Sequence, residues 1–282
     1  MLPEAEAISE IELKNLDYFK SSPTQEQLLK SIELDKIISD DNINENYLLE
    51  VAKICKNFGL YKQSLQIIEK IENQYQNVDG VNLVLYKYNI QLMKLKTNCF
   101  TRLGQYEDAS NIIYGVWQLN NKDSDTLSML AAQYKRRALI NESGDFIDKD
   151  NINLELLERA LNLYIEAFRL DIEDYYPAIN IAYLYKIMGG VQAGRGNKLA
   201  NFIQKTWQNH NEKDWWLDIT LLECDIIQDD LENIDIKLDK LLNQYNPNYF
   251  EKKAVLEQIN SYKYFVDIDD SIEIILKKLK DS

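Results

Sequence analysis

The sequence predicts an all-α protein, a right-handed superhelical α-solenoid of about five helix pairs with capping helices at both ends. Three observations predict it. Chain breakers are sparse, with 4 Pro and 9 Gly in 282 residues, whereas an all-β chain needs turn residues about every 8–12 positions. Apolar residues recur at the spacing of one helix face. A helix–glycine–helix pattern returns along the chain, as expected when each unit buries its apolar face against the next.

The first clear unit runs from Asn46 to Ile71. Leu48, Val51, Ala52 and Cys55 share one helical face, Gly59 ends that helix, Tyr61 follows, and Ser64, Ile68 and Ile71 mark a second helix. The second unit carries Met93, Lys96, Thr97 and Phe100, then Gly104 and Tyr106, then Ala109, Ile113 and Val116. A small residue in each helix (Ala52 with Ser64, Thr97 with Ala109) lets the two helices approach closely. Glycine at the turn accepts the left-handed conformation that closes the first helix. Three further units fit with insertions. The third has Leu127, Leu130, Ala131 and Tyr134, a polar loop at about Asn141–Asn153, then Ala160, Tyr164 and Ala167. The fourth has Ala178, Ile181, Ala182, Tyr185 and Gly189, then Ala200 after a glycine-rich loop, with Pro177 at a helix start, where proline is tolerated. The fifth has Trp216, Ile219 and Thr220, then Ile234, Leu238 and Leu241. The organisation expected is a single solenoid over 1–282, with capping helices in 1–40, repeats in 44–245 and capping helices in 248–282.

This repeat resembles the tetratricopeptide repeat. A narrower resemblance spans roughly Asp125–Asp230. It rests on Tyr134–Lys135, on Tyr175–Asn180 (YYPAIN) and on the WxxxTxLE run from Trp216 to Glu223. These segments are similar to the tetratricopeptide region preceding the kinase domain of apoptosis signal-regulating kinases, often called the TRAF-binding domain, and to its bacterial relatives. The family pattern has glycine where this chain has Ala178. The resemblance implies a regulatory or sensor module, with bacterial relatives associated with signalling and conflict systems; an effector, if there is one, is expected on another chain.

A net charge of −14 argues against whole-molecule attraction to nucleic acid or to an anionic membrane. Cys55, Cys99 and Cys224 form no CxxC pair, and their odd number fits a reducing cytoplasm. The first residues lack a signal-peptide pattern, and no run reaches the roughly 18 apolar residues of a membrane span.

Few residues suggest catalysis. His210 is the one histidine and lies in a polar stretch; without a nearby cysteine it cannot complete the usual zinc ligand sets. The acidic clusters Asp40–Asp41, Asp229–Asp230 and Asp267–Asp270 read as helix-boundary carboxylates that cap N-termini or are solvated. The run Met188–Lys198 reads as a glycine-rich link with Arg195 and Lys198 beside it, and it lacks the P-loop spacing. No cofactor, metal or catalytic residue is expected, and the chain reads as a non-enzyme.

The tetratricopeptide resemblance places ligands on the inner surface of the array, built from the first helix of each unit. Inward positions (second, fifth, ninth, twelfth and thirteenth) include Lys53, Lys56, Lys94, Arg102, Lys135, Arg136, Tyr176, Tyr183 and Lys186. Seven of the inward positions are basic and three acidic, in a chain with 32 basic and 46 acidic residues, so an anion-attracting groove is expected. Two readings follow. In the first, the groove holds an acidic or amphipathic peptide of a protein partner. In the second, a phosphorylated or nucleotide-derived small molecule binds near Lys135, Arg136, Tyr176, Asn180, Lys186 and Arg195 and regulates a separate effector.

Overall fold

The computed structural model describes residues 10–21, 24–40, 42–76, 90–119, 123–141, 143–211, 213–266, 268 and 270–281. The described residues are helical apart from turns, loops and one isolated antiparallel bridge, Ile140 to Phe146. The chain divides into two compact units, Met1–Leu119 and Asn120–Ser282.

The first unit contains α1 (Glu10–Lys20), α2 (Gln25–Ile32), α3 (Leu34–Ser39), α4 (Glu45–Asn57), α5 (Tyr61–Gln76), α6 (Ile90–Arg102) and α7 (Tyr106–Leu119). Helices α4 and α5 form one hairpin, α6 and α7 the next. Asn44 starts α4 by accepting a hydrogen bond from the Tyr47 amide. Both hairpins turn in the same way. Gly59 and Gly104 have φ of 77°. The Gly59 and Leu60 amides donate to the Lys56 and Cys55 carbonyls, as those of Gly104 and Gln105 do to Thr101 and Phe100, the helix-ending motif that glycine permits. Leu48, Val51, Ala52, Cys55, Ile67, Ile68 and Ile71 are fully buried, each larger aliphatic stabilising by roughly 1.5–3 kcal/mol. Ser64 Oγ donates to the Ala52 carbonyl at 2.8 Å and accepts from Cys99 Sγ at 3.3 Å. One small residue thus sets the α4–α5 approach and joins that hairpin to α6.

The second unit contains α8 (Ser124–Leu139), α9 (Leu154–Leu170), α10 (Tyr175–Met188), α11 (Gly190–Trp207), α12 (Trp215–Ile227), α13 (Ile234–Tyr245), α14 (Tyr249–Phe265) and α15 (Ile272–Asp281). Side-chain N-caps come from Asp123, Asn153, Asp174, Asp214 and Asn248, the last within a reciprocal capping box with Glu251. The described residues of the acidic clusters are exposed and stand at helix boundaries without supplying these caps. Asp40 follows α3 and accepts from the Asn42 amide, and Asp229 sits at φ 62° in the turn after α12. Asp41, Asp267 and Asp269 lie outside the described residues.

The glycine-rich segment is also corrected, because it is helix rather than loop. Gly189 and Gly190 take φ of 68° and 54°, which turns the chain directly from α10 into α11. Gly196 then lies where α11 crosses α10: an added Cβ would stand 2.7 Å from the Ala182 carbonyl oxygen and 2.9 Å from Lys186 Cγ. Gly196, Ala200 and Ile203 therefore repeat the spacing of Ser64, Ile68 and Ile71, with glycine at the tightest point.

Helix α14 departs from simple stacking. In a regular array each repeat touches its neighbours. Helix α14 instead reaches back across the first helices of three pairs. Gln258 meets Lys135 of α8, Ser261 meets Tyr183 of α10, and Gln258, Ile259 and Tyr262 line one small cavity with Glu223, Ile226 and Ile227 of α12. The Asn141–Asn153 loop joins this cover, with Phe146 packed on Tyr264 and Phe265 at centroid distances of 4.8 and 5.6 Å.

Candidate ligand-binding face

The inner face of the second unit gathers a buried polar cluster. Lys135, on α8, is 9% exposed. Its ammonium donates to Asn180 Oδ1 at 2.7 Å and to Gln258 Oε1 at 2.9 Å, and it lies 5.1 Å from the centre of the Tyr183 ring. Asn180 is oriented by its own Nδ2, which donates to the Tyr176 carbonyl one turn back. The Tyr183 hydroxyl donates to Ser261 Oγ at 2.6 Å, and its ring packs on Tyr262 at 5.4 Å. Burial raises the Tyr183 and Tyr262 hydroxyls above the ordinary phenol range. Glu223, on α12, faces the same space. Burial pushes its carboxyl up to about 7, while the Lys135 ammonium pulls the other way. The cavity beneath α14, between Glu223, Gln258, Tyr183 and Tyr262, has a volume of about 10 Å³, room for about one water.

Lys135, Asn180 and Glu223 come from the three separate segments that carried the narrower resemblance. The fold brings them to one place. Sequence reasoning named Lys135, Asn180 and Tyr183 but not their partners Gln258 and Ser261. Lys135 and Gln258 are 123 residues apart, and no local signal pairs them.

The other expected residues sit elsewhere. Arg136 is half-buried, close enough to Tyr164 to influence its hydroxyl. Tyr176 is 44% exposed, with its ring edge-on to Tyr164 at 6.3 Å. Lys186 donates to Asn197 Oδ1 at 3.1 Å and pairs with Asp229 at 3.4 Å. Arg195 lies on exposed helix, donating to Gln192 and resting 6.0 Å from the Tyr185 ring centre. In the first unit Lys53 pairs with Glu50 of its own helix at 2.6 Å, and Lys56, Lys94 and Arg102 are half-buried and have partners.

A second concavity of about 400 Å³ opens between α11, α12 and α13. Its floor holds Leu221, Leu222 and Leu241, and its walls carry Gln204, Gln208, Gln244, Lys213, Lys237 and Lys240. Both of its carboxylates are engaged. Asp225 accepts from Gln204 at 2.5 Å and from Lys237 at 2.8 Å, and Asp218 accepts from the Tyr245 hydroxyl at 2.6 Å and pairs with Lys213 at 3.4 Å. Lys213 and Lys237 are thereby paired within the cleft, and Lys240 stands exposed on its wall. Among the described residues no cluster of His, Cys, Asp and Glu is arranged to hold a metal ion, and no helix is long and apolar enough to cross a membrane.

Comparison with known proteins agrees with this architecture. The model of a family described as Tetratricopeptide Repeats-Sensor matches residues 60–185. No curated protein matches significantly. A thermophilic tetratricopeptide-repeat protein of Thermus thermophilus is similar in structure at a TM-score of 0.51 and 13% identity, covering 77% of this chain and 99% of that one. A tetratricopeptide-repeat protein of Parabacteroides merdae is similar at a TM-score of 0.51 and 14% identity, covering 97% of this chain and 98% of that one. Taken with the paired helices, the glycine turns and the small residues at their crossings, these likenesses show that the chain has a tetratricopeptide-repeat fold.

Proposed function

We propose that this protein is a non-enzymatic interaction module, a scaffold or adaptor that takes a peptide segment of a protein partner on the inner face of its second unit. One observation carries this reading: that face already holds a helix, α14, through apolar contacts and through hydrogen bonds to Lys135 and Tyr183. The cavity left there admits about one water, so the face suits an extended surface better than a small molecule. The test is a display selection of 20-residue helical peptides on the full chain. Selected peptides are expected to weaken at least tenfold on Lys135→Met or Tyr183→Phe chains. Selected peptides indifferent to every inner-face substitution would overturn the assignment.

A second reading, a sensor of a phosphorylated or nucleotide-derived molecule acting on a separate effector, is favoured by the cleft between α11, α12 and α13. Its volume of about 400 Å³ falls in the range of small-ligand sites, and the exposed ammonium of Lys240 on its wall suits an anion. The family model that matches is also named for a sensor. Calorimetric titration with a mononucleotide decides it: heat that vanishes in a Lys237→Glu/Lys240→Glu chain supports the sensor, and no heat at millimolar ligand removes it.

A further inference from the structure

We propose that α14 occupies the inner face as an exchangeable stand-in, and that the true occupant is an amphipathic helix of another protein carrying the same contact pattern: apolar, oxygen acceptor, apolar, hydroxyl and aromatic at the places of Val255, Gln258, Ile259, Ser261 and Tyr262. This rests on the reading of that face as the binding face and adds what it recognises and how it is regulated.

Three observations carry it. The first is that α14 is locally self-sufficient. It follows a residue in the left-handed conformation, Asn246 at φ 44°, and opens with its own capping box between Asn248 and Glu251. Such a helix keeps its start when it leaves the face, because its first amides are satisfied from within. The second is that α14 crosses α8, α10 and α12 as a bound helix would, rather than continuing the array. The third is that its seam keeps polar groups and space that a better-matched helix would fill. The Tyr262 hydroxyl is buried without a hydrogen-bond partner, and a cavity of about 10 Å³ lies beneath the helix. Glu223 meets the same seam as a carboxyl whose charged form burial disfavours.

The contacts define the partner's chemistry. Val255, Ile259 and Tyr262 are each 2% exposed and lie on one helical face. Lys135 presents a buried ammonium, so a competing helix must offer it an oxygen at the place of Gln258; leucine there would strand the charge. Tyr183 needs an acceptor at the place of Ser261. The titratable groups around the seam are Lys135 on α8, Tyr183 on α10, Glu223 on α12, Asp229 in the turn after α12 and Tyr262 on α14 itself.

The experiment uses the full chain and a fluorescein-labelled peptide of residues 247–266. A Val255→Asp/Ile259→Asp chain has its own α14 expelled and should bind the peptide at least about 100-fold more tightly than wild type, in which the tethered helix competes at an effective concentration of millimolar order. Changing Gln258→Leu in the peptide should cost about tenfold on the expelled chain, and that loss should disappear when the chain also carries Lys135→Met. A folded expelled chain that binds no peptide overturns the proposal. Should the double variant fail to fold, hydrogen exchange on the wild-type chain decides. Amides of α14 exchanging about 100-fold faster than those of α10 support exchangeability, and equal protection of the two helices overturns it. A wild-type dimer formed by swapping α14 between copies would also overturn it, since the occupant would then be this chain. If display-selected peptides bind but the α14 peptide does not compete with them, the interaction function stands and the stand-in falls.

Discussion

Lys56 in the first unit and Lys135 in the second hold the same position, the twelfth, of their repeats, yet the two lysines lead different lives. Lys56 is half-buried and lies near the Cys99 thiol, whose pKa burial raises to about 11 against the pull of that ammonium. Lys135 is buried, hydrogen-bonded to Asn180 and Gln258, and placed against the Tyr183 ring. The difference comes not from the repeat but from α14, which covers one lysine. A repeat position therefore specifies which way a side chain points, and a distant element specifies whether it meets water, ligand or the chain itself.

The largest expected effect separates these lysines. Lys135→Met should cost about 2–3 kcal/mol, since it leaves the Asn180 and Gln258 oxygens without their donor, whereas Lys56→Met should stay below about 1 kcal/mol. Urea melts of the two variants check this, and equal losses would mean that α14 does not make the difference. Next come two glycines of α11. Gly196→Ala should cost about 2 kcal/mol, because the Cβ meets the Ala182 carbonyl. Gly194→Ala, with nothing within 4 Å, should stabilise by about 0.5–1 kcal/mol. Opposite shifts in thermal midpoint would confirm where α11 crosses α10.

A smaller effect is the pH response of Glu223. Its carboxyl titrates near 7 in the fold and in the ordinary carboxylate range when unfolded, so the folded state binds the proton more tightly. Stability from this site is greatest near the low end of that window, falls as pH rises toward 7, and stays at its lower level above it. Glu223→Gln should remove that portion of the difference between urea midpoints at about pH 5 and about pH 8. An unchanged difference would place the proton elsewhere. The smallest effect is Ser64→Ala, about 0.5–1 kcal/mol, from loss of the hydrogen bond to the Ala52 carbonyl and of an acceptor for Cys99.

Much of the helical architecture was legible locally. Gly59 and Gly104 marked hairpin turns because only residues tolerant of the left-handed region close a helix cheaply. Ala52 with Ser64 marked a crossing because small side chains let backbones approach. The same logic failed at Met188–Lys198. Four glycines in eleven residues looked like a link, yet two of them make the turn and one makes the closest helix contact. Glycine composition alone does not distinguish a flexible backbone from one that must be approached closely.

The candidate site was legible only in part. Helical periodicity placed Lys135 and Tyr183 on the inner face, and the resemblance drew attention to the segments holding Asn180 and Glu223. Nothing in the sequence joined them to Gln258 and Ser261, because α14 has ordinary helical periodicity and its direction is set by packing. By itself, the sequence determined the helix pairs, their turns and the side each helix presents, since these follow from backbone conformation and spacing within one or two turns. Only the tertiary structure decided that the inner face of the second unit is covered by the chain's own helix, because that depends on contacts across more than a hundred residues that no local pattern encodes.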